Sequence, residues 1–232
     1  MPMQILLTAL PDTFTHYTGK PVPKWQRMLA PDAAASIVTI EKEIGPLRYT
    51  DMWRSAEVSL AARASKTGVQ APGFSAHNYG MAIDFDVEGN LKLHGWSYDR
   101  FREKLNERGW WGHRMDGSRG GEEWHFNYFG AEAERYLKEG VASQSRAGTW
   151  ALPVELKMKE NYGAGWTLTT VEVQTALKEL KMYHGDVDGV VGPITREALR
   201  AFQRAWDLIA SGTADARTQR TLAFITATKK VV

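Results

Sequence analysis

Two short segments concentrate the side chains able to hold a metal ion and move a proton. In the first, His77 and Asp84 flank a glycine turn at Gly80; in the second, His125 follows Glu122 at a spacing of three. Two imidazoles and one carboxylate form a tripod that suits zinc, because catalytic zinc sites keep three protein ligands and leave the fourth position to water. A glutamate beside such a site can take the water's proton and pass it to a leaving amine. Glu122 and Glu123 compete for that task. Strict alternation along a strand favours Glu123 on the face of His125, whereas Glu122 fits only if the strand begins after it. The chain has no cysteine, so disulfides and thiolate chemistry are excluded and any metal must be held by His, Asp or Glu. His16, His94, His113 and His184 read as ordinary core or surface histidines.

The elements that must position these groups are legible from periodicity. Asp32 to Ile44 reads as an amphipathic helix capped by Asp32, with Ile37, Ile40 and Ile44 at helical spacing and Gly45-Pro46 as its stop. Leu47 to Trp53 reads as a strand leading to Arg54, and Ser55 to Ser65 as a second helix. Met81 to Val87 reads as a strand with Ile83, Phe85 and Val87 on one side and Ala82, Asp84 and Asp86 on the other. A turn at Glu88, Gly89 and Asn90 would close it. Ser97 to Arg108 is expected to be a helix, Trp124 to Phe129 a strand and Ala131 to Glu139 a short helix. The calcium alternative suggested by Asp84 and Asp86 lacks the glycine position and bidentate glutamate of an EF-hand loop. The aromatic cluster Trp110, Trp111, Trp124, Phe126 and Tyr128 reads as core and groove wall rather than a base-stacking surface.

The two metal segments together satisfy Ser-x-His-x-x-Gly-x-Ala-x-Asp followed by Glu-x-x-His, met by Ser75, His77, Gly80, Ala82, Asp84, Glu122 and His125. In this the chain resembles the zinc peptidases of the D-alanyl-D-alanine carboxypeptidase and L-alanyl-D-glutamate endopeptidase group. The resemblance implies an α+β domain with a small antiparallel sheet and flanking helices, His77, Asp84 and His125 as zinc ligands, and Glu122 as general base. It also implies substrate-side roles for Ser75 and for Arg54, whose guanidinium can hold a carboxylate or polarise the scissile carbonyl. Glu123 stands where that family often has proline.

Farther along, Val173, Leu177 and Leu180 share a helical face, a glycine-rich loop runs from Gly185 to Pro193, and Ala198, Ala201, Phe202 and Ala205 share another face. Asp-Gly-x-x-Gly-Pro-x-Thr followed by Ala-Phe-Gln resembles the small three-helix peptidoglycan-binding module, and Ala210 to Thr218 repeats its loop and helix start more weakly. The domains expected are a catalytic domain over 1–145, a linker over 146–165 and a wall-binding domain over 166–232. With 43% apolar and 24% charged residues the 232-residue chain has the composition of a soluble globular protein. A net charge of +2 does not indicate nucleic acid, and neither a membrane span nor a signal peptide is read at the N-terminus. A monomeric wall hydrolase is expected, in the manner of a phage endolysin held in the host cytoplasm until a holin releases it. L-alanyl-D-glutamate endopeptidase is the first reading. The alternatives are D-alanyl-D-alanine carboxypeptidase and a non-catalytic wall-binding protein with a structural zinc site. On this reading the module concentrates the enzyme on its substrate, and removing residues after about 150 would spare cleavage of small peptides.

Overall fold

The computed structural model describes residues 3–66, 68–142 and 150–229, with residues 140–142 as backbone alone. Strands β1 (Thr8–Ala9), β2 (Thr15–His16) and β3 (Met28–Leu29) precede helix α1 (Pro31–Ile44), and β4 (Arg48–Asp51) leads to α2 (Ala56–Ser65). A 3-10 turn (Ala76–Tyr79) opens onto β5 (Ala82–Phe85), followed by α3 (Val87–His94), α4 (Tyr98–Asn106), β6 (Trp110–Gly112) and β7 (His125–Tyr128). A second 3-10 turn (Gly130–Glu132) runs into α5 (Ala133–Ala142), and α6 (Ala151–Trp166), α7 (Thr170–Glu179), α8 (Pro193–Ala205) and α9 (Ala216–Thr228) follow. None of the described helices is long and apolar enough to cross a membrane.

The chain packs as two compact units that do not follow chain order. One gathers Leu6–Trp53 with Tyr79–Asn161; the other gathers Met1–Ile5, Arg54–Asn78 and Tyr162–Val232. The first is α+β. Its five-stranded sheet has the order β2-β4-β5-β7-β6, in which β2 lies parallel to β4 and the remaining pairs are antiparallel, so the sheet is not purely antiparallel as expected. Alternation along β5 sends Ile83 and Phe85 into the core, where Phe85, Phe101 and Phe126 meet edge to face with centroids 5.4 to 5.8 Å apart. Helix α1 covers this core with Ala33, Ala34, Ile37 and Ile40.

Three local expectations are corrected. Asp32 does not cap α1: Ala30 holds that position without a side-chain cap and Pro31 occupies the first turn, where proline's missing N–H costs nothing. Asp86 does not share the face of Asp84, and no turn closes β5. The strand ends at Phe85, and the Asp86 carboxylate accepts from the Gly89 N–H at 3.1 Å as the N-cap of α3. Residues 151–165 of the expected linker lie in helix α6, which runs on to Trp166. Its apolar residues carry little 3.6-residue periodicity, and buried Pro153 and Met158 reflect packing rather than an amphipathic stripe. Residues 146–149 lie outside the described residues.

In the helical unit, α7 starts with a reciprocal capping box between Thr169 and Glu172. The loops before α8 and α9 are then built alike around two fully buried glutamines. Gln174 accepts from the Gly189 N–H at 2.8 Å and donates to the Val190 carbonyl at 3.0 Å and to Thr195 Oγ1 at 3.3 Å. Gln203 accepts from the Gly212 N–H at 2.9 Å and donates to the Thr213 carbonyl at 2.9 Å and to Thr218 Oγ1 at 3.0 Å. The weak sequence echo at Ala210 to Thr218 is therefore a structural repeat, in which a buried amide satisfies loop groups that water would otherwise have to serve.

Candidate metal centre

Strand register brings the first two candidate ligands together. Asp84 of β5 lies directly opposite His125 of β7, and residues opposite one another in an antiparallel pair share a face with their Cβ atoms about 5 Å apart. Asp84 is 7% exposed in a strand buried at every position, so its charge requires partners. One is His125, whose Nδ1 lies 2.8 Å from Asp84 Oδ1. The other ring nitrogen, Nε2, lies 3.0 Å from Oδ1 of buried Asn127. Amide and carboxylate oxygens both only accept, so both ring nitrogens donate here; a metal at this site would take the place of the hydrogen on Nδ1, while Asn127 would keep the Nε2 hydrogen and the ring orientation, as an outer partner of a ligating histidine does. Burial opposes the charged imidazole, but the hydrogen bond and charge of Asp84, with the charge of Glu122, outweigh it and hold the pKa of His125 above its ordinary value.

His77 completes the group: one ligand atom from each of His77, Asp84 and His125 lies within 4.8 Å of the others. Donors bound at about 2.0 to 2.2 Å in a tetrahedron stand roughly 3.4 Å apart, so small side-chain rotations would close this set on one ion. Two nitrogens and one carboxylate oxygen form a donor set that fits zinc.

The turn carrying His77 is organised by Asn78, a variable position of the sequence pattern. Its Oδ1 accepts from the N–H groups of Gly73 (3.0 Å) and Ser75 (3.2 Å), and its Nδ2 donates to the Arg54 carbonyl (2.9 Å) and Ser59 Oγ (2.8 Å). Arg54 donates its backbone N–H to the His77 carbonyl at 3.3 Å, which places its main chain beside the turn that carries His77. Ser75 Oγ accepts from the His77 N–H at 3.3 Å. Gly80, just beyond, has φ +65°, and a Cβ there would lie 2.5 Å from the backbone nitrogen of Ala30. Only glycine lets the chain turn this closely against the start of α1 before entering β5.

The two glutamates have different surroundings. Strand β7 begins at His125 rather than Trp124, so alternation does not reach back to either of them. Glu123 is chelated by Arg119, with Nε at 2.8 Å and Nη2 at 3.0 Å, and this pairing holds its carboxyl below the usual range. Arg119 also pairs with Glu88. Glu122 accepts the His125 N–H on its carbonyl at 3.0 Å, and its carboxylate lies 3.6 Å from Nδ1 of His113. His113, read from the sequence as an ordinary histidine, thus stands within reach of Glu122. Burial lowers its pKa more than the charge of Glu122 raises it. The sequence carried no signal for this, since His113 lies nine positions from Glu122 in a loop without periodicity.

Residues 169–222 match the family model described as "Putative peptidoglycan binding domain". The C-terminal helical segment is a peptidoglycan-binding domain. The match spans the whole of α7 and α8, both glutamine-clamped loops and the first half of α9. A domain of this kind points to association with the cell wall. Among curated proteins, none matches the chain.

Proposed function

We propose that the protein is a zinc-dependent peptidase that hydrolyses the stem peptide of peptidoglycan, with the L-alanyl-D-glutamate bond as its first substrate and the D-alanyl-D-alanine bond as the alternative. The observation that carries the reading is the convergence of His77, Asp84 and His125 in a chain that also holds a peptidoglycan-binding domain. A zinc ion held there would acidify a water molecule and polarise the scissile carbonyl.

Glu122 supplies the proton chemistry in this reading. Its carboxylate accepts a proton as the water's oxygen bonds to the carbonyl carbon, then delivers it to the nitrogen as the C–N bond breaks, so that one water is consumed and an acid and an amine are released. Exposure of more than half of the Glu122 side chain supports access to water and substrate. Glu123 is less suited, because a carboxylate chelated by a guanidinium is a weaker base. Arg54 and Ser75 are the substrate-side residues of this reading, which rests on their places in the sequence pattern; the Arg54 main chain and Ser75 Oγ both bond to the turn that carries His77.

Mass spectrometry of purified peptidoglycan digested by zinc-loaded wild type and by Glu122→Gln tests the assignment. New amino termini at D-glutamate are expected from the wild type and none from the variant. Released terminal D-alanine would establish the carboxypeptidase instead. A folded, zinc-loaded wild type that yields no products would leave a wall-binding protein whose zinc serves structure alone.

A further inference from the structure

The helical unit contains more than the peptidoglycan-binding domain: α2 and the loop that runs up to His77 pack with it. Arg220 of α9 is only 5% exposed. Its Nε donates to the Gly73 carbonyl at 2.6 Å, and its guanidinium lies over the rings of Phe74 at 4.2 Å and Trp166 at 3.6 Å. The neighbouring Thr221 Oγ1 donates to the Pro72 carbonyl at 3.0 Å, and Arg217 lies over the other contact of the same strip, the Phe74 ring, at 5.1 Å. An arginine taken out of water needs partners for its donors and its charge, and those of Arg220 include the carbonyl of Gly73 and two aromatic faces. The approach is close. Gly73 has φ +88°, and a Cβ on it would lie 3.0 Å from Cβ of Phe224 and 3.3 Å from the Arg220 carbonyl.

Gly73 is held from its other side as well. Its N–H donates to Asn78 Oδ1, the same oxygen that takes the Ser75 N–H. A continuous path of short hydrogen bonds therefore runs from α9 through Gly73 to Asn78, the residue next to His77.

We propose that Arg220 and Thr221 are positioning residues for the turn that carries His77, so that the peptidoglycan-binding domain helps to build the site that it was expected only to hold on the wall. Through the main chain of Pro72 and Gly73 they fix Asn78 and with it the placement of His77. The proposal rests on the reading of His77 as a metal ligand, and two separate readouts keep the two apart. Hydrogen exchange reports the hold on the turn whether or not metal binds; zinc affinity, from competition with a chelator, reports its consequence.

The experiment compares full-length wild type with Arg220→Ala, Arg220→Lys and Thr221→Val. In Arg220→Ala, amides of residues 73–78 are expected to exchange at least about tenfold faster while those of α7 and α8 keep their wild-type rates. Zinc affinity is expected to fall about tenfold or more, the range typical of lost outer partners of a metal site. Lysine lacks the fixed fork of arginine and should rescue little, and Thr221→Val should move both readouts the same way by less. Unchanged exchange over 73–78 in a folded variant overturns the proposal, as does equal acceleration in α7 and α8, which would mean general loosening. If Arg220→Ala does not fold, Arg220→Lys and Thr221→Val decide by the same comparison. A wild type that takes up no zinc overturns the metal reading alone.

Discussion

The difference between Glu122 and Glu123 is decided by what each side chain touches. A guanidinium chelate on Glu123 is an ion pair at the surface, with its Arg119 partner 44% exposed, and contributes little to stability. Glu123→Gln is expected to change turnover of a soluble stem-peptide substrate by less than about threefold. Glu122→Gln is expected to lower kcat by roughly 10²- to 10⁴-fold, the usual worth of a positioned general base. Steady-state kinetics of the two zinc-loaded variants check this, and similar losses in both would remove Glu122 from the role. Sequence alternation favoured Glu123 because it assumed that the strand extended through both residues. The start of β7 at His125 removed that constraint.

At the scale of elements, α5 and α6 are joined by one ionic cluster. Arg135 of α5 meets both carboxylate oxygens of Glu160 on α6 at 2.8 Å, and the Tyr136 hydroxyl donates to Glu160 at 2.8 Å. These bonds, the guanidinium first, hold the Glu160 pKa at about 2, against an ordinary 4.5. Because the folded value is depressed, the stabilisation is fully present above the unfolded value and is lost as pH falls from about 4.5 toward 2. Acid titration followed by tryptophan fluorescence should show a transition in this window that Glu160→Gln flattens. Trp150, which packs on Phe129 at 4.7 Å and on Trp111 at 5.2 Å, is a natural reporter. An identical acid profile in the variant would show that this cluster does not couple the two helices.

For the whole molecule, the grouping of Arg54–Asn78 with Tyr162–Val232 changes what truncation should do. A chain ending near residue 165 keeps His77, Asp84 and His125 but loses Arg220, Thr221 and the rest of α9. Such a chain is expected to bind zinc more weakly and to cleave small peptides less well, instead of merely losing its hold on the wall. Isothermal titration with zinc and a soluble peptide assay measure this. Full zinc affinity in the shortened chain would return the C-terminal domain to the role of a detachable anchor.

The sequence by itself determined the candidate ligands, because His77, Asp84 and His125 are reactive side chains at a spacing that few other purposes require. It also determined the helical wall-binding segment, whose loops need glycine, proline and threonine at fixed steps, and most strands and helices through their periodicity. Only the tertiary structure decided which polar residues surround the His77 turn and Glu122. Asn78, His113 and Arg220 meet Arg54, Glu122 and Gly73 across separations of chain that no local pattern records, and a buried amide or guanidinium finds its partners only after the surrounding elements have packed. The same holds for the grouping of distant segments into one unit, since burial depends on which surfaces meet and not on their order along the chain.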